Sequence, residues 1–311
     1  MSHVTPILSF IEVPGAPARA GGQRRMAYWD WLAQPGGDPD HVVLCVHGLT
    51  RQGRDFDVLA RALSAHARVI AVDVAGRGHS DWLADPLQYQ VPTYVGDIMA
   101  LMQRLRAQQP GVQIDWVGTS MGGLIGMGVA SVAEHAPRRL VLNDVGPALE
   151  WSALQRIGTY VGADPVFPSV QAAVDALAIL SVGFGPHTPQ QWRDLSLPML
   201  RERDGRWGLH YDPAIGAAFK ALLQLPPETA AQAAAAGEAA LWAAYDAISA
   251  PTLVLRGQHS DLLSVATLQA MTERGPRARA HTVAGVGHAP TLVASDQVAV
   301  VRDFLLGGAH G

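Results

Sequence analysis

Short apolar runs alternate along the chain with segments whose apolar residues recur at helical spacing. In VVLCVHG (42–48) the run is nearly continuous, which is typical of a strand covered on both faces. In the segment 94–108, one predicted helical face carries Ile98, Leu101, Met102 and Leu105. Strands alternating with helices predict an α/β fold with a mostly parallel sheet wrapped by helices.

Other apolar runs that end in turn residues predict further strands. They are 67–80, which breaks into a glycine-rich turn, 113–120, 138–146, 251–257 and the shorter 277–285. A helix is expected directly after the second of these runs, over 121–135. The segment 25–34 instead alternates apolar and polar residues, which predicts an antiparallel strand at the edge of the sheet.

The rhythm of buried strands stops between residues 147 and 246. This part contains VQAAVDALAIL (170–180) and the alanine-rich PETAAQAAAAGEAALWAAYDAI (227–248), separated by loops with Pro and Gly. Both segments consist mainly of good helix formers. We therefore predict a helical insertion over 147–246, placed between the two parts of the core, 1–146 and 247–311.

Composition restricts the class of protein. Charged residues make up only 16% of the 311 residues and the formal net charge is −4, so nothing favours nucleic acid or anionic lipid as a partner. The single cysteine, Cys45, lies among apolar residues, which indicates a buried thiol and rules out a disulfide framework. We see no signal peptide and no apolar stretch of the ~20 residues that a membrane span needs. A cytoplasmic protein is the expectation, with its oligomeric state left open, a homo-oligomer included.

One hydroxyl stands in an unusual place. In GTSMG (118–122), Ser120 follows a predicted strand and precedes a predicted helix. This is the pattern of a serine exposed on a sharp strand-to-helix turn, where flanking glycines permit close approach of the two elements. The helix start also offers backbone N–H groups to negative charge. Ser120 is therefore a candidate nucleophile.

A serine nucleophile needs a base and a group that orients the base. His288 follows the last predicted strand, so a parallel sheet brings it to the same edge as Ser120. Two carboxylates compete as the third member. Asp261 lies a few residues past the strand 251–257 and is favoured, whereas Asp144 follows the preceding strand and is interpreted as a turn or cap residue.

Ester chemistry also needs donors for a developing oxyanion. The backbone N–H of Met121 is one candidate, because Met121 follows the serine. The N–H of Leu49, in CVHGLT, is the second candidate. His47 in the same segment resembles a catalytic base, but a hydrogen bond that holds the loop is the favoured interpretation.

Candidates for substrate contact are Arg51, Phe184 and Trp192. An inward-pointing Arg51 would favour substrates that bear a carboxylate; the competing interpretation is an ion pair with Asp55 or Asp57. The two aromatic residues belong to the insertion, where they either line an acyl pocket or pack the core of the insertion itself.

Taken together, these segments resemble the α/β-hydrolase superfamily, in particular its cofactor-free serine esterases with a helical cap. The motifs occur in the family's order and span nearly the whole chain: VHGLT, VDVAGRGHSD, VGTSMGG, LVLRGQHSD and VGHAP. The resemblance implies a mostly parallel eight-stranded sheet flanked by helices, a cap inserted after the sixth strand, and no metal or cofactor. It assigns the site residues as Ser120, Asp261 and His288, with Leu49 and Met121 as oxyanion donors.

The resulting functional hypothesis is a serine carboxylesterase that acts through an acyl-enzyme on small to medium esters. Polyesters are included if the insertion leaves the cleft open. Three alternatives use the same three side chains: a lactonase, a thioesterase and a hydrolase of carbon–carbon bonds. A fourth, from a different class, is a non-catalytic protein that binds a small ligand.

Overall fold

The computed structural model describes residues 5–307, apart from the side chain of residue 227. Eight strands form one sheet, in the spatial order β1-β2-β4-β3-β5-β6-β10-β11. Their bounds are β1 Ile7–Val13, β2 Arg24–Trp31, β3 Asp38–Val46, β4 Ala67–Val72, β5 Gln113–Thr119, β6 Leu140–Asn143, β10 Thr252–Gly257 and β11 Arg279–Val283. The six strands from β4 to β11 in this order pair in parallel, as the alternation of strand and helix predicted.

The antiparallel strand expected near the start of the chain is β2, but it is not the edge. It pairs with β4 on one side and with β1 on the other, both antiparallel. The edge on this side of the sheet is β1, whose apolar positions Ile7 and Phe10 are 52% and 39% exposed; β11 forms the opposite edge. A strand covered on so little of its surface lacks the strong apolar signal by which the buried strands were found.

Helices cover both faces of the sheet. Their bounds are α1 Asp57–Leu63, α2 Val91–Gln108, α3 Met121–Ala130, α4 Trp151–Tyr160, α5 Val170–Leu180, α6 Pro189–Ser196, α7 Ala217–Leu223, α8 Pro227–Asp246, α9 Val265–Glu273 and α10 Ser295–Leu306. Across the described part of the chain, none of them is long and apolar enough to cross a membrane.

Strand β3 shows how the two apolar layers arise. Val42, Leu44 and Val46 belong to the core that includes α2 and α3, whereas Val43 and Cys45 belong to the core that includes α1 and α10. All five side chains are fully buried, because alternate residues of a strand point to opposite faces and both faces are covered. Burial also raises the pKa of the Cys45 thiol, consistent with the structural role expected for it.

The segment between β6 and β10 holds helices α4 to α8, as expected of the insertion. It also contains a small antiparallel sheet, formed by β7 Val166–Phe167, β8 Leu200–Arg203 and β9 Arg206–Leu209. The insertion is therefore mainly helical, as predicted, with one small sheet that the apolar pattern did not indicate. The cause is local: Asp204 and Gly205 both have positive φ, which makes the two-residue turn that joins β8 to β9 into a hairpin.

Candidate active site

Ser120 occupies the turn between β5 and α3, where its φ of 51° is rare for a residue with a side chain. The flanking glycines are required by close contacts. A Cβ at Gly118 would lie 2.3 Å from the carbonyl oxygen of Gly122, and a Cβ at Gly122 would lie 2.0 Å from that of Val46. The turn therefore holds the serine in a strained conformation at the carboxyl edge of the sheet.

His288 lies in the loop that follows β11 and reaches the serine. Its Nε2 is 2.9 Å from Ser120 Oγ, and its Nδ1 is 2.7 Å from Asp144 Oδ2. Because the carboxylate can only accept, the proton of the neutral ring is on Nδ1 and Nε2 is free to accept the serine proton. The predicted meeting of Ser120 and His288 at one edge is thus present in the structure.

The expected third member requires a correction. Asp261 does not contact His288; its side chain is 46% exposed and pairs with Arg156 of α4 at 2.7 and 2.9 Å. The carboxylate beside the imidazole belongs to Asp144, which is fully buried. The reason is the order of strands, since Asp144 directly follows β6, the neighbour of β5, whereas β10 is one strand further away.

Asp144 is held by donors from several segments. Its Oδ1 accepts from the backbone N–H of Gly257 at 2.8 Å, and its Oδ2 accepts from the hydroxyl of Ser260 at 2.7 Å in addition to His288. The Ser260 oxygen accepts in turn from the N–H groups of Leu262 and Leu263, so its own proton is directed at the carboxylate. Ser260 is a functional residue that the sequence patterns did not single out.

The two backbone groups expected to receive an oxyanion lie next to the serine. Met121 is the first residue of α3, where the N–H has no acceptor within the helix. The N–H of Leu49 has no acceptor recorded among residues 5–307. Both residues border the cavity that contains Ser120, which is where donors for a charged oxygen are needed.

His47 holds the loop that carries Leu49. Its Nε2 accepts from the N–H of Val74 at 2.9 Å, so its proton is on Nδ1 and is donated to the carbonyl oxygen of Gly48 at 2.7 Å. That carbonyl belongs to the same peptide group as the Leu49 N–H. Burial, together with the nearby cations Arg77 and Arg51, lowers the pKa of His47 to about 3. The ring is therefore neutral and structural, as the favoured interpretation had it.

A cavity of about 550 Å³ opens above Ser120, which is within the range of ~300–1,000 Å³ that is usual for small-molecule sites. Its walls are mainly apolar. The core contributes Leu49, Tyr89, Tyr94, Met121, Leu124, Val145 and Leu262, and the insertion contributes Leu149, Leu154, Ile157, Ile215, Ala218, Phe219, Ala221 and Leu222. The insertion thus forms much of the wall facing the serine.

The three residues predicted to contact substrate do not line this cavity. Arg51 forms a two-pronged ion pair with Asp55 at 2.6 and 2.7 Å and donates to the carbonyl oxygen of Leu195 at 3.0 Å. It also lies over the ring of Phe184, which stacks on Trp192. The competing interpretations, an ion pair and packing within the insertion, are the ones that the structure favours.

Comparisons with known proteins show which family the chain resembles. Residues 43–302 match the model of the alpha/beta hydrolase family. A 3-hydroxybutyrate-oligomer hydrolase of Cupriavidus necator is 45% identical over 309 residues, covering 97% of this chain and 99% of its own. An esterase of Mycobacterium tuberculosis is 29% identical, covering 88% of this chain and 83% of its own. The crystal structure of an alpha/beta hydrolase from Novosphingobium aromaticivorans superposes with a TM-score of 0.79 at 31% identity, covering 97% of this chain and 99% of its own.

The chain therefore belongs to the alpha/beta hydrolase family. Within that family it is an ester-hydrolysing serine enzyme.

Proposed function

We propose that the enzyme hydrolyses short oligoesters of hydroxyalkanoic acids, with Ser120 as nucleophile, His288 as general base and Asp144 as the group that orients and stabilises the imidazole. The observation that carries the proposal is the chain of hydrogen bonds from Ser120 Oγ to His288 Nε2, 2.9 Å, and from His288 Nδ1 to Asp144 Oδ2, 2.7 Å. These bonds lie at the cavity that the insertion walls, so the insertion serves as a cap over the reacting ester.

The first half of the reaction forms an acyl-enzyme. His288 accepts the Ser120 proton while Ser120 Oγ attacks the ester carbon, and the carbonyl oxygen becomes an oxyanion that accepts from the N–H groups of Leu49 and Met121. The buried Asp144 carboxylate stabilises the imidazolium that forms. When the intermediate collapses, the imidazolium gives its proton to the departing alcohol oxygen.

The second half releases the acid. A water molecule gives a proton to His288 Nε2 and attacks the acyl carbon, which regenerates the oxyanion in the same two-donor site. Collapse of this intermediate breaks the bond to Ser120 Oγ, and the serine recovers its proton from His288. His288 thus mediates every proton transfer that the cycle needs, and the backbone N–H groups stabilise the oxyanion.

Two observations support hydroxyalkanoate oligomers as the substrate class. The relative from Cupriavidus necator, which is matched over nearly its entire length, acts on 3-hydroxybutyrate oligomers. The cavity suits such chains, because its walls are mostly aliphatic and the Arg51 guanidinium that would attract a charged acyl group is paired with Asp55 instead. An uncharged repeat with a small alkyl branch needs only apolar contact and an oxyanion site.

The test compares five substrates at equal concentration: the methyl ester of the 3-hydroxybutyrate dimer, p-nitrophenyl butyrate, a lactone, an acyl-thioester and a vinylogous diketone. We expect the dimer ester to have the highest kcat/KM, with Ser120→Ala inactive on all five. Faster turnover of the thioester, lactone or diketone than of the dimer would overturn the substrate class. Absence of turnover on all five, together with tight binding of the dimer, would favour a binding protein. The cytoplasmic location remains a prediction.

A further inference from the structure

A buried arginine lies behind the two oxyanion donors. Arg77 follows β4 in the turn Gly76-Arg77-Gly78 and is fully buried. Its Nε donates to the carbonyl oxygen of Leu49 at 2.9 Å, and its Nη2 lies 3.7 Å from Met121 Sδ. One guanidinium therefore contacts both residues that are proposed to supply the oxyanion donors.

Glycines on both sides allow the turn to fold the arginine inward. Gly76 and Gly78 have positive φ, and a Cβ at Gly78 would lie 2.3 Å from the Asp73 carboxylate. Glycine adopts such conformations without strain. The two glycines therefore permit the turn that directs the Arg77 side chain into the interior. The sequence contains this turn as GRG within the motif VDVAGRGHSD.

Arg77 has only neutral partners. Its Nη1 donates to the carbonyl oxygen of Ala75 at 2.7 Å and to the hydroxyl of Tyr94 at 2.9 Å. Among residues 5–307, no carboxylate is recorded within salt-bridge distance of it. By contrast, the equally buried Arg24 binds Asp97 through two bonds of 2.6 and 2.7 Å. Burying a cation without a counter-charge is costly, and the cost is offset when a negative charge develops nearby during the reaction.

The substrate cannot reach this cation. The rings of Tyr89 and Tyr94 lie 5.8 and 5.1 Å from the guanidinium carbon of Arg77, and both tyrosines line the cavity whereas Arg77 does not. A carboxylate on the substrate therefore has no direct contact with Arg77. The positive charge of Arg77 instead acts on the site through the low-dielectric interior, where electric fields are screened much less than in water.

We propose that Arg77 is a positioning residue for the oxyanion hole. It fixes the loop of Leu49 relative to Met121, and its positive charge stabilises the anionic tetrahedral intermediate more than the neutral ester. The proposal rests on the function proposed above, because it assumes an oxyanion between those two residues. Preorganised charge of this kind raises kcat and leaves ground-state binding unchanged.

The test separates intermediate from ground state with two inhibitors of the same chain length. A trifluoromethyl ketone reacts with Ser120 Oγ, whose proton passes to His288, and its carbonyl oxygen becomes an anion; the matching methyl ketone binds as a neutral ligand. Replacing Arg77 by Met keeps an unbranched apolar stem and removes the charge and the guanidinium hydrogen bonds. We expect kcat and trifluoromethyl ketone affinity to fall together by about 10- to 100-fold, with KM and methyl ketone affinity unchanged.

Two further variants complete the design. Arg139, whose side chain donates to the carbonyl oxygens of Phe304 and Leu305 far along the chain from the site residues, provides the control Arg139→Met, in which both affinities should stay at the wild-type level. Arg77→Lys keeps the positive charge but loses the planar guanidinium with its several N–H donors. Its affinity for the trifluoromethyl ketone should therefore fall less than that of Arg77→Met. If Arg77→Met does not fold, Arg77→Lys carries the test through a selective loss of trifluoromethyl ketone affinity.

The outcomes distinguish the two proposals. Equal loss of both ketones in the Arg77 variants, or loss of neither, overturns the role of Arg77 while the wild type still forms its adduct. A wild-type protein that forms no trifluoromethyl ketone adduct on Ser120 overturns the proposed function itself.

Discussion

Asp144, and not Asp261, receives the hydrogen bond from His288 Nδ1, at a distance of 2.7 Å. The carboxylate is fully buried and comes from the loop after β6, next to the strand that leads to the serine. Asp261 lies at the surface and binds Arg156 of the insertion. Because the partner of His288 is Asp144, a substitution at Asp144 should stop the reaction, whereas a substitution at Asp261 should not.

Asp144→Asn should lower kcat by about 10⁴-fold, because an amide at this position favours the wrong tautomer of His288 and cannot stabilise the imidazolium. Asp261→Asn is the matched control and should keep kcat within about 2-fold, since it breaks only an exposed ion pair. Steady-state kinetics on p-nitrophenyl butyrate checks both. A larger loss in Asp261→Asn than in Asp144→Asn would reverse the assignment.

Ser260→Ala should lower kcat by about 10-fold. A hydrogen bond to a charged group contributes about 1.5–3 kcal/mol, and we expect only about half of this free energy to stabilise the transition state relative to the ground state. The hydroxyl of Ser260 is one of three donors that orient the Asp144 carboxylate. Ser264→Ala is the control, because Ser264 caps α9 from the same loop without touching Asp144. Wild-type kcat in Ser260→Ala would show that the remaining two donors suffice.

Leu154→Phe should narrow the cavity and shift the preference towards shorter acyl groups. Leu154 is on α4 and forms part of the wall above the serine. The excluded volume should lower kcat/KM for p-nitrophenyl hexanoate by about 10-fold relative to the acetate. Ile179→Phe adds the same ring at a position 75% exposed on the insertion and outside the cavity wall, so its chain-length profile should match the wild type. An unchanged profile in Leu154→Phe would place the acyl group elsewhere.

His47 should make the fold sensitive to acid. Its pKa is lowered to about 3 by burial and by nearby cations, against an ordinary value of 6.5. Between these two values the unfolded chain binds a proton that the folded chain does not, so stability falls as the pH drops from 6.5 towards 3, by about 1.4 kcal/mol per pH unit. Above pH 6.5 the residue contributes no pH dependence.

Urea unfolding at several pH values checks this contribution. His47→Gln should show a shallower fall in the free energy of unfolding between pH 6.5 and 4 than the wild type. The exposed His281 on β11 offers the control His281→Gln, which should keep the wild-type slope. Identical slopes in all three proteins would contradict the neutral, buried state of His47.

Much of the fold was predictable because its strands are covered on both faces. Continuous apolar runs located β3, β4, β5, β6 and β10, and the glycines around Ser120 indicated a turn that close packing requires. The shorter run 277–285 located β11, although four of its five residues are exposed at the edge of the sheet. Two elements were not predicted from the sequence, and each has a physical reason. The edge strand β1 has exposed apolar positions, and the hairpin at Asp204-Gly205 was hidden within a region judged by its alanine-rich helices. The Asp-Gly pair was a usable signal for that hairpin.

The acid was harder to predict than the base or the nucleophile. Loops after β6 and β10 reach the same edge of the sheet, so a carboxylate in either loop satisfies the same argument from topology. The sequence does contain one distinguishing signal, which is the number of residues between each aspartate and the end of the preceding strand. Asp144 comes directly after Asn143, the last residue of β6, whereas Asp261 comes four residues after β10 ends. The pairing of Asp261 with Arg156 depends on the path of the insertion, which apolar patterns do not specify.

The most direct measurement of the central claim is the rate of covalent labelling by a fluorophosphonate, with the modified residue located by peptide mass mapping. The phosphorus takes the place of the ester carbon, so labelling requires both a reactive Ser120 and the hydrogen bonds to His288 and Asp144. We predict one adduct on Ser120 in the wild type, formed at the same rate in Asp261→Asn and at least 100-fold more slowly in Asp144→Asn. An adduct on another residue, or equal rates in the wild type and Asp144→Asn, would contradict the account.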